Sequence, residues 1–144
     1  MDELSVAMKI AEDAKIDAPR EAVEWSKGVY EAVDSTDETE FADAFVEDGR
    51  LKWANQDLIE GGKEIENFIG EFFQSIDTLD HTFIGIWSVE DIEGADDVLT
   101  LEAKVTYTRP DGSTMTVPAT TIVERQGDKA QAARIYIDVS SLYE

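Results

Sequence analysis

A chain of 144 residues with 42% hydrophobic content is long enough to bury one sizeable core and too short for two ordinary domains. Its 33 acidic residues against 12 basic ones leave a formal charge of -21, which excludes the basic footprint needed to bind nucleic acid or an anionic membrane. No cysteine is present, so disulfides and thiolate chemistry are excluded as well.

The opening "MDELSVAMKIAEDAKID" is broken by charge every few residues and offers no apolar run for a signal peptide. Leu4, Met8 and Ala11 recur at helical spacing, which predicts a short amphipathic helix as an N-terminal extension over residues 1–18. Pro19 suits the first turn of a second helix, whose stripe is Ala22, Trp25, Val29 and Val33 and which stops near "DSTDE". Thr36 or Asp37 caps a third, with Phe41, Ala42 and Phe45 on one face and Gly49 at its end. After "RLKWAN" and a short extended piece, Ile65, Phe68, Ile69, Phe72 and Ile76 mark a further core-facing helix.

From Thr78 onward the period changes from helix to strand. "HTFIGIWSV", "DVLTLEAKVTYTR", "TMTVPATTIVER" and "QAARIYIDV" are separated by "EDIEGAD", "PDG" and "QGDK", and "RPDGS" is the clearest hairpin turn. Strands of this length predict a strongly curved sheet, and helices on one side of it leave a concave face where a ligand fits. No stretch approaches the roughly 20 apolar residues that span a bilayer, so the expectation is a soluble cytoplasmic protein.

In this order, "FVEDGRLKWAN", "GGKEIENFIGEFF", "YTRPDGSTMTVPATTIVER" and "RIYIDVSSLY" resemble the SnoaL-like branch of the nuclear transport factor 2-like superfamily from about Ala22 onward. The resemblance implies one α+β domain over 1–144, a cone made of a curved antiparallel (mixed) sheet closed on one side by helices. It also implies a homodimer joined through the convex face of the sheet. Steroid isomerases of this fold use a carboxylate where this chain places Trp53, together with a helix phenol matched by Tyr30. Epoxide hydrolases of the fold carry an aromatic-x-Asn element like Trp53-Ala54-Asn55, but their Arg-x-Asp pair falls at Glu102-Ala103-Lys104 and their last-strand Asp near Ile135. Polyketide cyclases use a last-strand Asp matched by Asp138, while "ATTIVER" lacks their partner His.

Asp138 and His81 are therefore the candidate catalytic pair, as base and as acid or orienter. Alternation along "ARIYIDV" also allows Asp138 to share an outer face with Arg134 and Tyr136, where it pairs with Arg134 or caps the strand at the rim. Tyr30, Trp53, Asn55, Phe72, Trp87 and Tyr107 are the candidate pocket residues. One His and no Cys make no metal-ligand set, "EGGKE" lacks the spacing of a phosphate loop, and no cofactor is implied. The expected partner is a small apolar carbonyl-bearing molecule, met by an isomerase, cyclase or hydrolase; the competing reading is a non-catalytic binding or dimerisation module.

Overall fold

The computed structural model describes residues 9–143. Strand β1 (Lys9–Asp17) is followed by helices α1 (Arg20–Asp34) and α2 (Glu38–Asp43), then β2 (Phe45–Trp53), β3 (Ile59–Glu60) and α3 (Gly62–Gln74). The meander β4 (Thr78–Glu90), β5 (Asp97–Thr108), β6 (Thr114–Gln126) and β7 (Lys129–Ile137) completes a mixed seven-stranded sheet in the order β1-β4-β5-β6-β7-β2-β3. The β1–β4 and β2–β7 pairs are parallel and the others antiparallel, with the helices on one side, which is the expected α+β cone.

Local chemistry accounts for most boundaries. Pro19 is the N-cap of α1, and Asp37 caps α2 by accepting the Glu40 backbone N–H at 3.0 Å. In the β5–β6 turn the Asp111 carboxylate accepts both the backbone N–H and the hydroxyl of Ser113, and Gly112 supplies the left-handed residue at φ 89°. Helix α3 buries Ile65, Ile69, Phe72 and Phe73, at helical spacing, against the sheet.

Two expected helices are corrected. Residues 9–17 are an edge strand rather than part of a helix, while Leu4 and Met8 lie outside the described residues. The open edge of β4 offers this segment backbone partners, whereas a short charge-interrupted helix has little packing to hold it. The Lys9 ammonium adds an ion pair to Asp80 at 2.8 Å. The third helix ends at Asp43, and Phe45 and Gly49 belong to β2. Phe41 and Phe45 still meet edge to face, 5.4 Å apart, across the helix–strand junction.

A bulge between Phe83 and Gly85 decides which β4 residues face the helices. Before it, His81 and Phe83 stand opposite buried Val105 and Ala103; after it, Ile86 stands opposite Leu101 and Trp87 opposite Thr100 on the outer face. The inward parity switches from odd to even, which one extra residue in a strand requires. A side chain at Gly85 would collide with the Trp87 ring, 2.1 Å from an ideal Cβ, so this outer position stays bare to seat the indole.

Helix α1 is fastened to the sheet near its start by Arg125. Its guanidinium donates two hydrogen bonds to Asp97, at 2.9 and 2.6 Å, and two to Glu21, both at 2.9 Å. The Trp25 ring lies 5.2 Å from the guanidinium carbon. Arg125 and Asp97 are 4% and 6% exposed, so the low dielectric strengthens the pair and penalises loss of either member. Removing the cation in Arg125→Met is expected to destabilise the fold by about 3–5 kcal/mol. Glu21→Gln, at a side chain 67% exposed, should cost less than about 1 kcal/mol. Urea unfolding of both variants checks the contrast; equal losses would show that the Asp97 contact is not the stronger half.

Candidate functional site

Between α1, α3 and the concave face of the sheet lies a cavity of about 60 Å³. Its wall is mostly apolar and aromatic. Phe72 meets Tyr107 edge to face at 5.9 Å and Trp53 at 4.8 Å, so these rings brace one another. Leu101, Val105 and Val123 form its floor on the sheet, and Ile135 and Ile137 line it from β7.

The polar groups gather under the second half of α1. Tyr30 and Thr121 are both buried, and the Tyr30 hydroxyl donates to Thr121 Oγ1 at 2.9 Å. Since Thr121 accepts there, its own proton is left for another acceptor. The Tyr30 ring packs on His81 at 4.8 Å and on Phe83 at 4.7 Å, and His81 stacks on Phe83 at 5.8 Å. His81 is thus held in one orientation by two aromatic neighbours.

Asp34 completes the group. Its Oδ1 lies 2.7 Å from His81 Nδ1, and its Oδ2 accepts the His81 backbone N–H at 3.2 Å. A carboxylate facing Nδ1 fixes the proton of the neutral imidazole there and leaves Nε2 as the lone-pair nitrogen. Asp34 is the last residue of α1, where the helix dipole disfavours an anion and where no basic residue compensates it. A residue that breaks the local preference and makes two contacts to one histidine is a signal for a site, and one visible in the sequence as an acidic helix end.

Of the sequence-predicted residues, Tyr30, Trp53, Phe72, His81 and Tyr107 line the cavity. Trp87 does not, because the β4 bulge turns it outward. Asn55 is exposed in the turn after β2, where Ala54 at φ 50° donates its N–H to the Ile135 carbonyl. Asp138 is exposed beyond the end of β7 and is not brought together with His81. Its Oδ1 accepts the Ser140 backbone N–H at 3.0 Å, which caps the final turn and holds its carboxyl below the ordinary value. The capping alternative is the arrangement found; the pairing with Arg134 is not, because Arg134 pairs with Glu124 at 2.6 Å. Asp34 and Thr121 are the polar neighbours that sequence reading missed. Among the described residues no group of three or more His, Cys, Asp or Glu side chains forms a metal-ligand set. No helix among them is long and apolar enough to cross a membrane.

Comparison with known proteins agrees with this architecture. The family model of the SnoaL-like domain matches residues 27–133, so the chain belongs to that family. Among solved structures, a hypothetical protein of ketosteroid isomerase-like fold from Catenulispora acidiphila DSM 44928, in complex with trimethylamine, superposes with a TM-score of 0.71 at 18% identity, covering 82% of this chain and 88% of that one. A candidate SnoaL-like polyketide cyclase from Shewanella denitrificans OS-217 gives 0.72 at 9% identity, over 87% and 96% of the two chains. A candidate calcium/calmodulin dependent protein kinase II association domain from Xanthomonas campestris gives 0.71 at 17%, over 92% and 99%. At such identities the likeness is one of fold. No curated protein matches the chain.

Burial pushes the Tyr30 phenol up to about 12 from its ordinary value of 10.0. The folded chain therefore holds this proton more tightly than the unfolded chain does. Its contribution to stability is complete below pH 10 and is lost as pH rises towards 12. Tyr30→Phe is expected to be less stable at pH 9, by about 1 kcal/mol for the hydrogen bond lost at Thr121, with the gap narrowing by pH 11.5. Chemical denaturation of both forms at the two pH values tests this; a gap that widens with pH would contradict it.

Proposed function

We propose that this SnoaL-like chain binds a small, largely apolar molecule bearing a carbonyl oxygen and moves a proton on it, with His81 as the base. The observation that carries the reading is the His81–Asp34 contact of 2.7 Å at the polar side of a cavity whose other walls are apolar. An apolar enclosure with a few convergent polar groups is the usual form of a small-molecule site.

The chemistry follows from the donors and acceptors present. A guest carbonyl oxygen accepts the Thr121 hydroxyl proton, and Tyr30 polarises that hydroxyl by donating to it. The Nε2 lone pair of His81 takes a proton from the carbon next to the carbonyl, and the C–H electron pair moves to form the enolate. Asp34 stabilises the resulting imidazolium. In a β,γ-unsaturated guest the charge spreads over a dienolate, and return of the proton to its far carbon gives isomerisation; in a guest with a second carbonyl the enolate carbon attacks that group, its C=O electron pair becomes an alkoxide that takes the imidazolium proton, and a ring closes. Tyr30 stays protonated at neutral pH and serves as a donor throughout. A 60 Å³ cavity is well below the roughly 150 Å³ that accepts benzene in an engineered apolar void, so the guest is small or displaces wall side chains.

Exchange of α-protons of acetone and cyclopentanone in D2O, followed by NMR, tests the base without knowledge of the natural substrate. The protein is expected to accelerate exchange over buffer. His81→Gln should lower that acceleration about a hundredfold or more, and Asp34→Asn should lower it less. Ketone binding without exchange, or exchange unchanged in His81→Gln, would leave the non-catalytic binding reading in its place.

The convex face of the sheet supports a second copy as partner. Tyr136, 54% exposed, stands opposite Thr120, and next to that pair Ile122 faces Arg134 in the same register. These residues join the outward Trp87 side of β4 through Thr100 and Glu102 of β5. We infer a homodimer through this face. Light scattering at micromolar concentration should give twice the mass of the 16.0 kDa chain, and Tyr136→Lys should return it to a single chain. A wild-type mass of one chain would remove the dimer.

A further inference from the structure

A second hollow lies outside the cavity, between α1 and the α2–β2 junction. It is an open groove of about 350 Å³ lined by Glu24, Trp25, Gly28, Val29, Glu40, Asp43 and Ala44. Three of these residues, Trp25, Val29 and Ala44, also line the inner cavity. The two spaces are therefore separated by the thickness of single side chains, and all three of those residues are half-buried.

Gly28 gives the groove its open floor. It sits in the interior of α1 with no left-handed backbone angle to explain it. A Cβ built there meets nothing within 4 Å, so close packing does not explain it either. A glycine at such a position costs about 1 kcal/mol of helix stability relative to alanine. What its missing side chain provides is free space in the groove.

Trp25 stands at the boundary between the two spaces. Its indole N–H donates to the Asp128 carbonyl in the β6–β7 turn at 2.8 Å, and the Arg125 guanidinium lies against its ring. These contacts fix one end of the wall and leave Val29 and Ala44, which are small, as the rest of it. The rim carries Glu24, Glu40 and Asp43. Lys27 pairs with Glu24 at 3.4 Å, and the Lys129 ammonium rests on the Asp43 carbonyl at 2.5 Å. On a chain of formal charge -21, this rim repels a carboxylate on approach.

We infer that the guest of the inner cavity enters through the groove between α1 and α2, past Trp25, and that Gly28 and the acidic rim restrict entry to slim molecules without negative charge. The inference rests on the cavity being a ligand site, as proposed above. Trp25 and Gly28 are then residues that select and admit the guest, and they take no part in the proton transfer.

Cyclopentanone titrated into the isotope-labelled protein, with the His81 and Thr121 signals followed by NMR, separates the two readings. In the wild type those signals should shift, and the Trp25 indole N–H signal should shift with them. Gly28→Gln places a longer side chain in the groove and is expected to slow both binding and release about tenfold, leaving Kd within about twofold, because it obstructs a path without touching the bound guest. Gly28→Ala serves as the folding control and should raise the melting temperature with rates near wild type. Cyclopentanecarboxylate, of the same ring size, should leave the His81 signal unmoved. Cyclopentanone that shifts His81 with identical rates in Gly28→Gln overturns the route while the ligand site stands. A carboxylate that binds as well as the ketone overturns the charge restriction. Absence of any shift at His81 and Thr121 in the wild type overturns the ligand site and the route together.

Discussion

The architecture turns on how α1 is attached across the concave face of the sheet. Near its start the helix is joined to β5 and β6 through Glu21, Arg125 and Asp97, and at its end it is joined to β4 through Asp34 and His81. Between those points it contributes Tyr30 and Val33 to the cavity wall and Trp25 and Val29 to the boundary with the outer groove. Without both attachments, the apolar floor formed by Leu101, Val105 and Val123 would lie open to water. The two attachments differ in kind. Arg125 makes four hydrogen bonds to carboxylates and keeps its charge at any ordinary pH. Asp34 instead holds His81 through one ring nitrogen and one backbone N–H, so the end of the helix beside the polar group of the cavity is the more lightly fastened of the two.

Most of the fold was legible in the sequence because it follows from local rules. The four meander strands, the "RPDGS" turn and the core stripe of α3 each follow from patterning within a dozen or so residues. The parts that were not legible depend on distant partners. Residues 9–17 become a strand only because β4 has an open edge at Thr82 to Trp87, and nothing local announces it. The segment from Phe41 to Phe45 satisfies helical spacing and the start of a strand equally well; pairing of Phe45 with Ala130 decides between them. The extra residue in β4 is likewise invisible to an alternation rule, yet it moves Trp87 from the expected inner face to the outer one.

The site divides in the same way. Tyr30 was legible through the resemblance, which matches it to a helix phenol, while His81 and the aromatic wall were legible because a lone histidine and aromatic residues in strand and helix patterns are conspicuous. For Asp138 two arguments conflicted: resemblance placed it inside, while alternation with Arg134 and Tyr136 placed it outside. Backbone geometry prevailed, and a short polar side chain past the strand end took a capping role. Asp34 was passed over because it stands where the helix stops and reads as punctuation. Its partner on β4 is brought near only by the folded topology. Fold likeness at 9–18% identity cannot supply such a residue, since the shared scaffold says where a site lies and leaves its chemistry to the individual chain.

The parallel pairing of β2 with β7 has a consequence for the order of assembly. Phe45 lies opposite Ala130 and Trp53 opposite Ile135, so β2, which within the first half of the chain pairs only with the two residues of β3, waits for β7 before it has a neighbour along its length. Strand β1 likewise finds its register only on β4. The meander from β4 to β7, joined by short turns, closes its loops at small entropic cost and is the natural nucleus. On a ribosome the segments up to α3 therefore emerge with their apolar faces uncovered, and they gain cover as the meander strands follow, β1 and α1 on β4 and β2 on β7. The acidic surface suits that interval, because like-charged nascent chains repel one another while their cores are still incomplete.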